Sequence, residues 1–431
     1  MSPRMPRLAA ATLAALAASC SSVFSDYPTD ARTATEAFEQ GDFARSAEQF
    51  ATLGGTLESN RFLALAEAGM AHHVAGDLQA AIDTWLEAAT ELDSYGDRPT
   101  VSGRTVSEGA LSLLLNDKTL PYDGEGFEAA LLHGFLAWDF LRLGNLDGAM
   151  VEVRRGYEME TLEEGRYGTT YGMNRFARFV AAIAQELDGA PDEAAIDLRR
   201  LAEEMPDHPA VRYSLDKVEA LQTSGRSEVA GRAELVVVFE RGRMPAKQAE
   251  EVFISGHRSF GRVSVPSFGS PQPEPATVEA LVDGETAGRT ETLEGVLAVA
   301  GENLNDRIVL LAAKSVGRAV GKAVLVDVAA EAVEEQSGEG WGIVVSLLGS
   351  LLATATERAD LRSWLTLPQQ VQVLRIPVEP GEHHLRLRAA GSGEIDLGIV
   401  EFRAGRPVLV GVRSLGGRLH AAPLPGANLT P

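Results

Sequence analysis

Four short stretches in the first half of the chain share one pattern, a glycine-led turn followed at fixed distance by small residues. They are Gly41-Asp42-Phe43 with Ala47, Gly76-Asp77-Leu78 with Ala80 and Ala81, Gly144-Asn145-Leu146 with Ala149, and the looser Gly189-Ala190-Pro191 with Ala194 and Ala195. A glycine of this kind ends one helix in a left-handed cap, the Asp or Asn begins the next, and the small alanine lets the two pack closely. Apolar residues recur at helical spacing on both sides of the third turn, at Phe135, Leu136, Trp138, Phe140, Leu141 and Leu143 before it and at Met150 and Val151 after it. The first two glycines are 35 residues apart and the next pair 68, close to one period and then two. The pattern therefore predicts antiparallel helix pairs from residue 29 to 225.

That spacing is TPR-like, since tetratricopeptide units repeat every ~34 residues. Two loops interrupt the array. One contains Asn116, Asp117 and Tyr122, and the other contains Tyr167 and Tyr171, which makes these five residues candidates for partner-binding loops; plugging gaps between helices is the alternative use of such tyrosines. Acidic residues concentrate here, with 36 acids against 17 bases between residues 29 and 230. Such an excess reads either as a solvated helix surface or as a concave face that recruits a basic partner.

After Gly225 the period changes. Strand-like runs occupy residues 234–239, 251–255, 262–266, 277–282, 371–378, 384–389, 395–402 and 407–412, separated by turns such as Pro380-Gly381 and Ala404-Gly405. They predict an antiparallel β-domain over 232–425, with a stiff connection where four prolines fall between Pro266 and Pro275. An inserted helical hairpin is expected at 308–356. Its first arm carries Lys314, Arg318, Lys322, Asp327, Glu331, Glu334 and Glu335, and its second, from Gly340 to Thr356, is uncharged. At about 1.5 Å per residue that arm falls short of the ~30 Å hydrocarbon core, so burial in protein is the expectation and membrane insertion the alternative. The expected fold class is thus multidomain α+β, an all-α TPR-like array followed by the β-domain with its hairpin.

The first residues read as a lipoprotein signal peptide over 1–19, with Arg4 and Arg7 ahead of an apolar stretch. Leu16-Ala17-Ala18-Ser19-Cys20 resembles a bacterial lipobox, which makes Cys20 the expected lipid-attachment site and residues 20–28 a tether. Ser21 follows it where inner-membrane retention favours Asp, so the expected location is the outer membrane, lipid-anchored and facing the periplasm. Cys20 is the only cysteine, which excludes a disulfide scaffold, a CxxC redox pair and an all-cysteine zinc site. A net charge of −22 repels phosphate backbones and makes nucleic acid a poor partner.

No Gly-x-Ser-x-Gly, His-Glu-x-x-His, P-loop or Rossmann fingerprint occurs. His72-His73 and His383-His384 lack metal-ligand spacing, so neither catalytic residues, a metal nor a cofactor is expected. Glu152, Arg154 and Arg155 fall on the second helix of the third pair, where an inward Arg needs a carboxylate such as Glu128; structural ion pairing is the expectation. Asp360, Arg362 and Trp364 mark the exit from the hairpin, with Trp364 expected to cover its base.

Several stretches together resemble a family of uncharacterised bacterial lipoproteins with a TPR-like N-terminal half. They are Asn116-Asp117-Lys118-Thr119 with Pro121-Tyr122, Ala149 to Arg155, Asn174-Arg175-Phe176-Ala177-Arg178 leading to Glu186 and Gly189, Glu234 to Val238 with Gly242, Pro245 and Lys247, and Ala359 to Trp364 with Leu367-Pro368. Gly189-Ala190-Pro191 departs from the family pattern, which implies a weaker last repeat. The resemblance implies a periplasm-facing lipoprotein. Members are often found beside genes for curli-secretion-like and cell-wall-synthase-activating lipoproteins, which implies an envelope role.

The functional expectation is a non-enzymatic interaction scaffold or adaptor for other envelope proteins, in envelope assembly or secretion, held to the membrane through Cys20. Two alternatives stand beside it, a membrane-inserting or pore-associated lipoprotein and an uncharacterised hydrolase whose acids meet only in three dimensions. The oligomeric state stays open.

Overall fold

The computed structural model describes residues 27–56, 58–96, 121–122, 124–167, 174–224, 232–255, 260–304, 359–422 and 424. Cys20, Asn116, Asp117, Tyr171 and the hairpin expected at 308–356 lie outside the described residues.

The first half is helical: α1 (Tyr27–Asp30), α2 (Arg32–Glu39), α3 (Phe43–Thr56), α4 (Arg61–Ala75), α5 (Leu78–Gly96), α6 (Gly126–Arg142), α7 (Leu146–Tyr167), α8 (Arg175–Leu187), α9 (Pro191–Glu204) and α10 (Pro209–Ser224). All four signature glycines, Gly41, Gly76, Gly144 and Gly189, take positive φ between 73° and 87°. At each turn the glycine N–H bonds back to the carbonyl three residues earlier, and the next residue's N–H to the carbonyl five residues before it. Only glycine takes this backbone conformation without cost, so the four motifs are four copies of one helix cap. The looser fourth turn caps its helix in the same way, with Pro191 opening α9 where its missing N–H has no bond to lose. The following alanines, Ala47, Ala81, Ala149, Ala194 and Ala195, are buried, as close helix packing demands. Each helix from α3 packs on the next wherever the described chain is continuous, and α6 additionally packs on α5 and α8. Between α4 and α5 the contact is so close that a Cβ on Gly69 would come within 2.3 Å of the Trp85 ring.

The second half holds three sheets. The five-stranded sheet runs β11 (Arg418–Ala421), β10 (Pro407–Leu415), β1 (Ala233–Arg241), β7 (Gln370–Val378), β6 (Glu291–Glu294). A four-stranded sheet runs β5 (Glu285–Arg289), β4 (Glu279–Val282), β8 (Gly381–Ala389), β9 (Gly393–Phe402), and among the described residues β2 (Lys247–Ser255) pairs only with β3 (Phe260–Phe268). The expected antiparallel domain needs one correction, because β1 and β10 pair in parallel, Val236 beside Leu409 and Val238 beside Gly411. As the middle strand, β1 is buried on both faces from Ala233 to Glu240, and its unbroken Leu-Val-Val-Val-Phe run suits that place.

Two apolar cores make three layers. One face of β1 and β7 offers Val236, Val238, Val371 and Val373 to the helices, in one continuous core with Trp85, Phe135 and Phe176. The opposite face packs Leu235, Val237 and Phe239 against Leu385, Leu387 and Phe402 of the four-stranded sheet. Helices and strands therefore share a core and do not stand as two separately closed units.

Candidate functional site

Charged residues set inside apolar runs meet where the helices face the five-stranded sheet. His73 sits in the last turn of α4, Asp139 in the Phe-Leu-Ala-Trp-Asp-Phe-Leu run of α6, Glu240 at the end of β1 and Arg413 on β10. The imidazole bonds through Nδ1 to Asp139 at 2.8 Å and through Nε2 to Glu240 at 2.7 Å. Glu240 in turn accepts from Arg413 Nη1 at 2.9 Å, and Arg413 Nη2 donates to the Thr366 carbonyl at 2.5 Å. Both ring nitrogens facing carboxylates means that both donate, so the ring is cationic. Burial alone lowers its pKa, but Asp139 and Glu240 outweigh burial and raise it to about 9. Burial raises that of Glu240, yet His73 and Arg413 bring it down to about 2.

A second cluster lies further along the same seam. Arg375 of β7 bonds to Glu186 of α8 and Glu234 of β1, each at 2.8 Å, and Lys217 of α10 reaches the same two carboxylates. Arg375 and Lys217 hold Glu234 at about 2 against the effect of burial.

A third grouping grips a length of chain. Residues 359–369 run between helices and sheet, where Glu67 of α4 accepts the backbone N–H of Leu365 at 2.6 Å and of Thr366 at 2.9 Å. Glu128 of α6 accepts from Trp364 N at 2.8 Å and from the Tyr122 hydroxyl at 2.8 Å. Burial pushes both carboxyls up to about 7, with Glu125 adding to the rise at Glu128. Lys247 closes the cluster with bonds to Glu125 and to the Arg362 carbonyl. These convergent acids are the arrangement a hydrolase would need, but Glu67 and Glu128 are bonded to the protein's own amides and to the Tyr122 hydroxyl.

Several expectations are corrected by these positions. Tyr122 is not displayed on a partner-binding loop: it is buried, stacked on Phe62 and covered by the Arg362 guanidinium. Glu128 does not neutralise an inward arginine, because it stands in the first turn of α6 and its oxygens are taken by the Glu125 and Trp364 amides. Glu152 does pair, with His133 at 2.8 Å and with half-exposed Arg155 at 3.1 Å, whereas Arg154 points to solvent. Tyr167 is the last residue of α7. Trp364 packs edge-on to Trp85 inside the helical core, with no exposed surface; the hairpin whose base it is expected to cover lies outside the described residues. The side of the array facing the sheet is likewise filled by the protein's own strands and by residues 359–369, so it is no open concave surface.

The open concavity lies at the edge of this seam. Two adjoining clefts of about 640 and 650 Å³ share Arg142, Leu143, Leu409 and Leu424. Their walls come from the turns after α4, α6 and α8 on one side and from β9 and the start of β10 on the other. Among the described residues no group of three or more His, Cys, Asp or Glu could hold a metal ion, and no helix is long and apolar enough to cross a membrane.

Comparison with known protein families, characterised proteins and solved structures finds no match to the chain.

Proposed function

We propose that the protein is an interaction scaffold of the bacterial envelope, tethered through lipidated Cys20 to the periplasmic side of the outer membrane. The observation that carries the reading is the seam itself. A TPR-like array of capped helix pairs and a mixed sheet are locked into one body by buried ion pairs, and the clefts left open draw their walls from both. Such a body presents a fixed surface to a partner, and docking to preorganised surfaces loses little affinity to ordering. The lipobox supports the location, and the absence of a nucleophile or cofactor motif supports a non-enzymatic role. A hydrolase built on Glu67 and Glu128 is less well supported, because those acids are engaged by backbone amides in the core. Affinity capture from detergent-solubilised envelopes, with the lipidated chain as bait, tests the proposal. Recovery of the same envelope protein in independent preparations is expected; recovery of none overturns it.

A further inference from the structure

The ladder between β10 and β11 is short. It pairs Leu415 with Arg418, Ser414 with Leu419, Arg413 with His420 and Val412 with Ala421, and there it ends. On its other side β10 stays paired to β1 from Pro407 to Ser414. The first five residues of β10, 407–411, therefore have a free edge among the described residues, about 16 Å long at ~3.3 Å per residue.

Which groups face that edge follows from the turn. Gly416 and Gly417, both at positive φ, make a two-residue hairpin loop, so Leu415 and Arg418 form a hydrogen-bonded pair and every second residue of β10 points its N–H and C=O the same way. Gly242 N bonds to Ser414 O, which puts the alternate set on the β1 side. Leu409 and Gly411 thus point N–H and C=O away from β1; Leu409 lines both clefts, whereas Gly411 lies buried at the inner end of the edge. Pro407 presents only its carbonyl, and a proline at an edge position is where strands tolerate one.

The edge does not lie on open surface. It borders the larger cleft, whose apolar wall includes Leu143, Leu146 and Leu187, with Leu143 44% exposed. Three guanidiniums rim it. Arg403 is matched by Glu401 at 2.5 Å, and Arg142 reaches Asp139 at 3.3 Å, but Asp139 already answers the cationic His73. Arg406 has no carboxylate within 4.0 Å among the described residues. With Asp77 the one further acid of the adjoining cleft, this part of a chain of net charge −22 is locally cationic.

We infer that this cleft is the docking surface of the proposed scaffold, and that it takes an extended peptide segment of a partner protein. The segment would add as a strand to β10, place apolar side chains against the leucine wall and set one carboxylate on Arg406. Backbone pairing supplies affinity that any extended segment can use, while the alternate side-chain pockets and the guanidinium choose among them. The inference rests on the scaffold reading.

The test uses the full chain and a fluorescein-labelled, C-terminally amidated peptide of sequence Thr-Val-Thr-Val-Asp, read by anisotropy. Three companions are its Asn-ended counterpart, a version N-methylated at alternate backbone nitrogens, and the protein variant Arg406→Glu, an exposed substitution that leaves the core untouched. Losing the carboxylate contact from either side is expected to weaken binding by about tenfold or more, the size of a charge-assisted bond, and N-methylation to abolish it. Amide exchange over residues 407–411 is expected to slow on peptide addition. Amides there that are already slow in the free chain mean that its own terminal residues cover the edge, and that result overturns the inference. Binding indifferent to N-methylation, or none at about 1 mM, does the same. Envelope capture that persists in Arg406→Glu leaves the scaffold standing and removes only this docking mode.

Discussion

The Nε2 of His73 and the Oε1 of Glu240 lie 2.7 Å apart, joining the last turn of a helix to the middle strand of the sheet, and both side chains are almost fully buried. Removing one partner of such a pair leaves a charge in the core without its match, which costs about 3 to 5 kcal/mol. His73→Leu and Glu240→Leu should each destabilise the protein by that order in urea unfolding. The double variant should cost about 1 to 3 kcal/mol less than the sum. Additivity within about 0.5 kcal/mol would show that the two residues do not sense each other.

Stability should fall as pH rises from about 5 to 9. His73 has a folded pKa of about 9, above its ordinary value of ~6.5, so its contribution is complete below ~6.5 and is lost as pH climbs through 9. Glu67 and Glu128, raised to about 7 by burial, act in the same direction from ~4.5 upward, because the folded state holds their protons more tightly. Glu240, held at about 2, contributes above ~4.5 and loses its contribution only as pH falls toward 2. Melting temperatures should therefore peak near pH 5, and His73→Gln should flatten the decline between pH 7 and 9. A parent Tm that is level from pH 5 to 9 contradicts this.

Glu67 is the acceptor for two consecutive backbone amides, those of Leu365 and Thr366. Glu67→Ala strands both N–H groups in the core at about 1 to 3 kcal/mol each. Glu67→Gln keeps one acceptor and should be milder. Limited proteolysis is expected to cut the alanine variant within residues 359–369 well before the parent. Equal cutting rates would mean that the carboxylate does not hold this segment.

Gly69 offers a contest between two effects. Alanine is the better helix former by about 1 kcal/mol, but its Cβ would fall 2.3 Å from the Trp85 ring. That ring is anchored by its own bond to the Ala66 carbonyl at 3.0 Å and has no exposed surface into which to move. Overpacking costs about 1 to 3 kcal/mol, so the clash should win and Gly69→Ala should lower the Tm. A raised Tm would show that α4 and α5 can part.

Cys20 is expected to carry the membrane anchor. In cells fed an alkyne-tagged palmitate the protein should label and fractionate with the outer membrane, and Cys20→Ala should lose both properties. Labelling that persists in the variant rejects the lipobox reading.

Much of this molecule was legible in the residues, for reasons that can be traced. The helix pairs announced themselves because a left-handed cap needs glycine, and the same need recurs at Gly41, Gly76, Gly144 and Gly189. The short strands β5, β6 and β11 fall outside the expected runs, although Asp283-Gly284 and Gly416-Gly417 are the two-residue turns that precede β5 and β11. The parallel partnership of β1 and β10 was beyond any local pattern, since nothing in either strand names the other. The seam was half visible: Glu67, Asp139 and Arg375 each interrupt an apolar run, which marks a buried charge. Their partners lie on other elements, so spacing alone does not pair them, and Glu128, which suits an inward arginine on sequence, accepts from two amides and the Tyr122 hydroxyl.

The pairing of Val236 with Leu409 has a consequence for how the chain is made. The strand that covers the helices emerges just past the midpoint of the chain, and both of its neighbours in the sheet come more than a hundred residues later. Contacts so distant along the chain close slowly. During synthesis the helical portion must therefore wait with its Phe and Trp side chains uncovered until almost the whole polypeptide has been made. The native state becomes a product of the completed chain, and a chain stalled before β10 would be a substrate for holding chaperones and proteases.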